Sequence, residues 1–137
     1  MVARITGQLI VILTVTDLRR SAEWYRELFG AREHVYVNAD GVLAQVTLGE
    51  PASGLQLCLV SHREGPDEPF SELRPGLDHL EFLVPERADL DRWSERLDCL
   101  GIGHSGVKVP SYTANAMLTF RDPDNIQLEF FWSPSTQ

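Results

Sequence analysis

One histidine and two glutamates are the residues of this chain best placed to do chemistry. His79 and Glu81 are two residues apart in the apolar run LDHLEFLV, and Glu129 lies within the run IQLEFFW. Side chains alternate along a strand, so His79 and Glu81 share one face with their Cβ atoms about 7 Å apart. Such residues can bind a divalent metal ion, act as an acid and a base, or form a hydrogen-bonded polar pair. Glu81 is then either a ligand or the group that orients His79, and the residues alone leave these alternatives open.

The elements that must position these side chains are predicted to occur twice along the chain. In the first half Asp17 is a typical helix N-cap, apolar residues recur after it at helical spacing, and Gly30 is a typical helix end. Asp40 and Gly41 predict a hairpin turn. The first unit is therefore predicted as β-α-β-β-β, with a strand at 8–16, a helix at 17–29, hairpin strands on either side of 39–41 and a strand at 55–61.

The second half repeats this organisation. Its helix carries an apolar stripe, and Asp122-Pro123-Asp124-Asn125 predicts a tight turn before the last strand, with Asn125 at the position that needs a positive φ. We expect a strand at 77–84, a helix at 87–100 and strands near 104–110, 114–121 and 126–132. The segment 63–76, rich in proline and glycine, is predicted to link module one, 8–62, to module two, 77–132, within a single domain.

The predicted fold class is α+β, with two tandem βαβββ modules whose curved mixed sheets enclose a cleft. One face of each sheet packs on its own helix, and the other face must also be covered. Alternation along the strands then assigns the side chains that face the cleft. We expect the cleft to be lined by Ile10, Ile12, Thr14, Gln56, Cys58, His79, Glu81, Leu83, Gln127, Glu129 and Phe131.

Three stretches of the chain resemble a known superfamily. LTVTDLRRSAEWYRELFG, HLEFLV and FRDPDNIQLEF are similar to the vicinal oxygen chelate proteins, which include glyoxalases, bleomycin-resistance proteins and ring-cleaving dioxygenases. The closing motif of that superfamily, Asp-Pro-Asp-Gly-Asn, is Asp122-Pro123-Asp124-Asn125-Ile126 here, and the resemblance covers about residues 8–132. It implies paired βαβββ modules and commonly a homodimer. The activities it allows range from lyase, isomerase, dioxygenase and transferase to drug sequestration.

The resemblance also implies a set of metal ligands. Carried over position by position, the ligand positions of the superfamily are Ile10, Cys58, His79 and Glu129. His79 and Glu129 have the expected side chains, whereas Ile10 cannot bind a metal and Cys58 replaces either an oxygen ligand or a residue that does not bind the metal. Iron, zinc and nickel sites with catalytic roles need about three protein ligands, so this set is incomplete. No cofactor is therefore certain, and zinc, iron, nickel or manganese is expected to bind weakly.

Three functions compete on these grounds. The first is a binding protein that holds a small, partly apolar molecule without a complete metal site. The second is a lyase or dioxygenase that depends on a divalent metal held by His79 and Glu129. The third is a metal-free acid–base isomerase that uses Glu129 or Glu81 with His79. Metal content separates the second from the others, and turnover of the bound molecule separates the third from the first.

Composition excludes several other classes of protein. The chain has 137 residues, 43% hydrophobic and 23% charged, which is typical of one globular domain. The net charge of −8 disfavours nucleic acid and anionic membranes as partners. The apolar run at 9–15 is too short to span a bilayer. The two cysteines, Cys58 and Cys99, are too few for a disulfide framework, so a reducing compartment, the cytoplasm, is expected.

Overall fold

The chain forms two units, and each carries one sheet and one α-helix. The computed structural model describes residues 3–41, 43–62 and 64–136. The first unit ends at Asp67 and the second begins at Glu68, inside the segment 63–76 that the sequence predicts as a linker. No helix of the described residues is both long and apolar enough to cross a membrane.

The first unit contains a four-stranded sheet in the order β1-β4-β3-β2. Strands β1 and β4 are parallel, and the other neighbours are antiparallel. The predicted order β-α-β-β-β is confirmed, with shorter first and last strands than expected. The elements are β1 (Val11–Thr14), α1 (Leu18–Phe29), β2 (Arg32–Val37), β3 (Leu43–Gly49) and β4 (Gln56–Val60).

Helix α1 begins and ends where its sequence predicts. The Asp17 carboxylate accepts a hydrogen bond of 3.0 Å from the backbone nitrogen of Arg20, which satisfies one unpaired donor of the first turn. Gly30 ends the helix with φ of 62°, a left-handed conformation that costs glycine little. The helix packs on β3 and β4 through buried residues at helical spacing, namely Leu18, Ala22, Tyr25 and Leu28.

The second unit contains a three-stranded sheet in the order β5-β7-β6. Strand β5 runs parallel to β7, and β6 is antiparallel to β7. The elements are β5 (Leu80–Leu83), α2 (Arg87–Cys99), β6 (Ala116–Arg121) and β7 (Gln127–Trp132). A reciprocal capping box between Glu86 and Asp89 starts α2. The Trp93 ring of α2 stacks on the buried Phe130 of β7 with 4.2 Å between ring centroids, so the helix covers one face of this sheet.

The strand expected near 104–110 is the part of the predicted second module that does not form. In its place are two isolated bridges, one between His104 and Phe120 and one between Lys108 and Met117. Gly106 has φ of 69°, which turns the chain out of the extended conformation between the two bridges. The Ser105 hydroxyl also accepts a hydrogen bond of 3.0 Å from the backbone nitrogen of Thr119, which replaces a bond between backbones. The described second unit is therefore β-α-β-β.

The turn before β7 is hydrogen-bonded to residues near the start of the second unit. Asn125 has φ of 69°, which confirms the positive φ predicted there. The backbone nitrogen of Phe70 donates to the Asp124 carbonyl at 2.8 Å, and the Asn125 amide donates to the Phe70 carbonyl at 3.0 Å. The Arg121 guanidinium binds the Glu72 carboxylate at 2.8 Å. The later part of the predicted linker is thus fastened to the second unit.

Candidate metal centre

The register between β5 and β7 places two glutamates side by side. Glu81 pairs with Glu129 across these parallel strands, so their side chains project from the same face of the sheet. This is the face that does not contact α2, and we call the corresponding face in either unit the helix-free face. His79 immediately precedes β5 and alternates with Glu81 onto the same face.

His79, Glu81 and Glu129 form one compact group of side chains whose types are common metal ligands. One ligand atom from each of the three lies within 4.8 Å of the others. The Nε2 atom of His79 is 3.3 Å from Oε1 of Glu81, while its Nδ1 atom is 2.5 Å from Oδ1 of Asp78. Histidines that bind metals commonly donate their second ring N–H to a carboxylate, which fixes the ring and its tautomer. Asp78 holds His79 in that way and leaves Nε2 beside the two glutamates.

Burial and the repulsion between like charges disfavour the ionisation of both carboxyl groups in this cluster. Glu129 is only 5% exposed, and this burial, followed by the negative charge of Glu81, raises the pKa of its carboxyl above the usual value. The pKa of the His79 imidazole is also raised. Its hydrogen bond with Asp78 is the largest cause, and the hydrogen bond with Glu81 and the negative charge of Glu129 add to it, while burial acts in the opposite direction. A positive charge placed among these side chains would therefore be stabilised.

The spacing of the three donors is close to what one divalent ion requires. Donor atoms that each lie about 2.1 Å from one ion are about 3.0–3.4 Å apart at adjacent positions, so donors within 4.8 Å of one another would have to approach by up to about 1.5 Å to share it. Glu81 is partly exposed and alternative rotamers of its side chain can supply that movement. One imidazole and two carboxylates form a donor set suited to manganese, iron or zinc.

The sequence names three of these four residues as site candidates and leaves the fourth out, and their role as ligands stays a prediction. His79 and Glu129 were expected as ligands, and Glu81 as either a ligand or the orienting group; the structure brings all three together. Asp78 was missed as the residue that orients His79. An acidic residue directly before a candidate ligand histidine was the available signal, although neighbours on an extended chain normally point to opposite faces.

The predicted cleft residues of the first unit lie on its helix-free face. Ile10 and Ile12 are each 60% exposed, and Thr14 and Gln56 are also exposed. Cys58 is buried at 2% exposure, and its sulfur accepts a hydrogen bond of 3.7 Å from the Thr47 hydroxyl. Four of the five residues therefore lie in strands of one sheet and Ile10 directly precedes its first strand, and the cleft between two sheets stays a prediction.

The remaining predicted cleft residues surround the histidine–glutamate group on the second sheet. Leu83 is 61% exposed, and Gln127 and Phe131 are half-buried. Gln127 and Phe131 lie two residues before and after Glu129 on β7, so all three share the helix-free face. The group is therefore flanked by a polar side chain on one side and by apolar side chains on the other.

Several solved structures have the same fold as this chain. A glyoxylase/bleomycin resistance protein/dioxygenase domain from Frankia sp. EAN1pec is 36% identical, with a TM-score of 0.80 over 95% of this chain and 99% of that chain. The fosfomycin resistance protein FosX from Listeria monocytogenes is 18% identical, with a TM-score of 0.68 over 95% of each chain. A mutant of FosX bound to Mn(II) and 1S,2S-dihydroxypropylphosphonic acid is 20% identical, with a TM-score of 0.68 over 95% of this chain and 94% of that one. The likeness to FosX shows the fold alone.

The family of this chain follows from its sequence and fold together. No protein of curated function matches the chain at a significant level. The sequence profile of one superfamily matches residues 7–130, which is most of the chain. The two units, each with a helix on one face of a mixed sheet, agree with that match. The chain belongs to the Glyoxalase/Bleomycin resistance protein/Dioxygenase superfamily.

Proposed function

We propose that this protein binds one divalent metal ion through His79, Glu81 and Glu129 and uses it to bind and activate a small molecule rich in oxygen. The observation that carries the proposal is the position of Glu81, whose carboxylate lies with the other two donors within 4.8 Å. His79 and Glu129 alone are two ligands, which predicts weak binding. Three protein ligands are enough for a catalytic site that keeps positions open for a substrate.

The surroundings of the three donors support this proposal. Asp78 binds Nδ1 of His79, so the ring is held with Nε2 toward the glutamates without the help of a ligand. The buried Glu129 and its neighbour Glu81 repel one another, and a divalent cation would neutralise both charges. FosX, a distant relative by fold, was crystallised with Mn(II) and a dihydroxylated phosphonic acid, which makes Mn²⁺ the first ion to test.

The residues of the chain would divide the work in a simple way. A bound divalent ion supplies Lewis-acid chemistry, which polarises oxygen atoms of a substrate. The half-buried His79 and the buried Glu129 would hold the ion, and Asp78 keeps the imidazole in its orientation. Glu81 is more exposed than Glu129, so its carboxylate is the one that a substrate would reach more easily. A lyase or a dioxygenase reaction is compatible with these roles.

A metal-free function is the second candidate, and two observations favour it. Ile10 occupies a position where the superfamily resemblance implies a ligand, and the raised pKa of Glu129 favours a neutral, hydrogen-bonding carboxyl group. The chain would then hold a small, partly apolar molecule and either sequester it or isomerise it with His79 and a glutamate. A protein that binds its small molecule equally well after chelation would support this candidate.

Metal binding by chelator-treated protein tests the proposal. Calorimetric titration with Mn²⁺, and in parallel with Zn²⁺, Fe²⁺ and Ni²⁺, is expected to give one site per chain for at least one ion. The Glu129→Gln and His79→Ala variants should each weaken that site by tenfold or more, a loss typical of removing a ligand or its support. Failure of all four ions to bind would overturn the proposal in favour of the metal-free candidate.

We also propose the homodimer and the cytoplasmic location that the sequence predicts. The first rests on the superfamily resemblance and the second on the two cysteines, Cys58 and Cys99, neither of which forms a disulfide. Light scattering at micromolar concentration is expected to give a mass near twice the 15.4 kDa of the chain. A mass of one chain that does not change with concentration would contradict the dimer.

A further inference from the structure

Arg121 connects residues near the start of the second unit to the helix-free face of the second sheet. Its guanidinium donates to both carboxylate oxygens of Glu72, at 2.8 Å and 3.2 Å, and to the Asn125 carbonyl at 3.0 Å. It also donates a hydrogen bond of 3.1 Å to the amide oxygen of Gln127. A planar guanidinium that is bound in several directions is held in one orientation, so Arg121 offers Gln127 a fixed donor.

Gln127 lies between Arg121 and His79 on this face. It is paired with Arg121 across β6 and β7. On its other side, β5 is paired with β7 so that Leu80 is opposite Leu128, and the residues that precede these two, His79 and Gln127, are therefore level with one another. Gln127 is thus the neighbour of a candidate metal ligand in the row that crosses the sheet.

The hydrogen bond from Arg121 decides which way the Gln127 amide points. A glutamine amide has an oxygen that accepts hydrogen bonds and a nitrogen that donates two. Because the oxygen is directed to Arg121 on one side, the nitrogen is directed to the other side, which is that of His79. Gln127 is half-buried, so a molecule bound beside it can reach this nitrogen. The candidate metal centre therefore has an oriented pair of N–H donors at its edge.

We propose that Gln127 donates a hydrogen bond to an anionic oxygen of the molecule held at the His79–Glu81–Glu129 centre, and that Arg121 is the positioning residue that keeps the amide turned toward that oxygen. The inference rests on the proposed function, because the metal ion is what places the molecule beside Gln127. It adds a selectivity, since an N–H donor binds a charged oxygen more strongly than a neutral hydroxyl group. Arg121 acts through Gln127 and does not itself touch the molecule.

The affinity of the Mn²⁺-loaded protein for inorganic phosphate tests the role of Gln127. Phosphate can bind a metal ion through some of its oxygens and accept hydrogen bonds with the others, and calorimetric titration gives its dissociation constant. Gln127→Met keeps the length of the side chain and removes both donors, so phosphate should bind about tenfold more weakly. Gln45→Met is the matched control, because Gln45 is a half-buried glutamine on the sheet of the first unit, and it should leave the affinity unchanged.

A double-mutant cycle tests the role of Arg121. Arg121→Lys keeps the positive charge, but an ammonium group cannot hold Glu72 and Gln127 in the fixed geometry of a guanidinium. The amide is then free to turn, so phosphate should bind about threefold more weakly. In the Gln127→Met background, the same Arg121→Lys change should cause no further loss, because the amide that it would misdirect is absent. A purely structural role of Arg121 would instead give the same loss in both backgrounds.

The outcomes separate this inference from the proposed function. Circular dichroism and Mn²⁺ affinity are measured for every variant, so that each comparison is made between folded and metal-loaded proteins. Unchanged phosphate affinity in Gln127→Met, or no phosphate binding by the Mn²⁺-loaded unmodified chain, would overturn the inference and leave the metal centre standing. Equal losses from Arg121→Lys in both backgrounds would overturn the positioning role. If the unmodified chain bound no Mn²⁺, the proposed function would fail and this inference with it.

Discussion

Strands β4 and β7 occupy the same place in the two units, and they differ on only one face. Each is the parallel neighbour of the first strand of its unit and the antiparallel neighbour of another strand. Toward the helix, β4 presents Leu57 and Leu59 where β7 presents Leu128 and Phe130, and all four are buried at 2% exposure or less. On the helix-free face, Cys58 in the first unit corresponds to Glu129 in the second.

The neighbours of these two residues differ in the same way. Ile12 pairs with Cys58 in the first unit, whereas Glu81 pairs with Glu129 in the second. The predicted repeat also matches Ile10 to His79. One unit therefore carries apolar or weakly polar side chains at the positions where the other carries three ionisable ones. The face that packs on the helix is apolar in both units. The helix-free face carries the candidate site residues only in the second unit.

Truncation of the shared core should damage both units to a similar extent. Phe130→Ala is expected to lower the free energy of unfolding by about 3–5 kcal/mol and Leu59→Ala by about 2–5 kcal/mol, because each leaves a cavity in a packed core. Phe130 stacks on Trp93 and Phe120, and Leu59 is fully buried. Urea unfolding followed by circular dichroism measures both. A loss below about 1 kcal/mol in either variant would show that its core face is not equivalent to the other.

Transfer of the carboxylate to the first unit should be costly. Cys58→Glu places a charge at a position that is 2% exposed and has Ile12 as its cross-strand neighbour, so we expect a loss of about 3 kcal/mol or more. Cys58→Ala is the control that shortens the side chain without adding charge. If urea unfolding gave the same stability for both variants, the helix-free faces of the two units would tolerate carboxylates equally, and the comparison would fail.

Removal of the carboxylate from the second unit should instead raise the free energy of unfolding. Glu129→Gln keeps the shape of the side chain and ends the repulsion with Glu81, so the metal-free protein should gain about 0.2–1 kcal/mol near neutral pH. The sign follows from the raised pKa of Glu129, since a carboxyl whose pKa is raised by folding makes the fold less stable once it is ionised. A clear loss of stability in urea would mean that Glu129 is needed by the fold rather than by a ligand.

The smallest effect concerns the ion pair that fastens residues 70–74 to the second unit. The hydrogen bond from Arg121 lowers the pKa of Glu72 from its ordinary 4.5 to about 2. The stabilisation from Glu72 is therefore complete above pH 4.5 and is lost as the pH falls through about 2. Glu72→Gln should be slightly less stable than the unmodified protein near neutral pH, and the difference should shrink as the pH falls and vanish only below about pH 2. A difference that grew as the pH fell would contradict this assignment.

The predictable parts of the fold are those that local chemistry decides. Asp17 and Gly30 mark the ends of α1 because a side-chain cap and a left-handed glycine are properties of single residues. The strand near 104–110 was predicted wrongly, because the left-handed Gly106 and the Ser105 hydroxyl replace a regular ladder with two bridges. A sequence pattern typical of a strand does not reveal which backbone groups a serine hydroxyl will bind.

The candidate site was predictable to the extent that alternation along strands determines it. Alternation placed His79 and Glu81 on one face, and the repeat indicated that Glu129 would lie on the equivalent face. The register of β5 against β7, which makes Glu81 the direct neighbour of Glu129, depends on how two distant segments pair. The pairing that places Glu81 beside Glu129 could therefore not be predicted from the sequence.

The measurement that tests the central claim most directly is Mn²⁺ affinity in two glutamate variants. Electron paramagnetic resonance of free Mn²⁺, titrated with chelator-treated protein, gives stoichiometry and dissociation constant together. We predict one ion per chain, with affinity lowered tenfold or more in Glu81→Gln and unchanged in Glu72→Gln, which removes the charge of a glutamate outside the three donors. No binding by the unmodified chain, or equal binding by Glu81→Gln, would contradict a centre built from His79, Glu81 and Glu129.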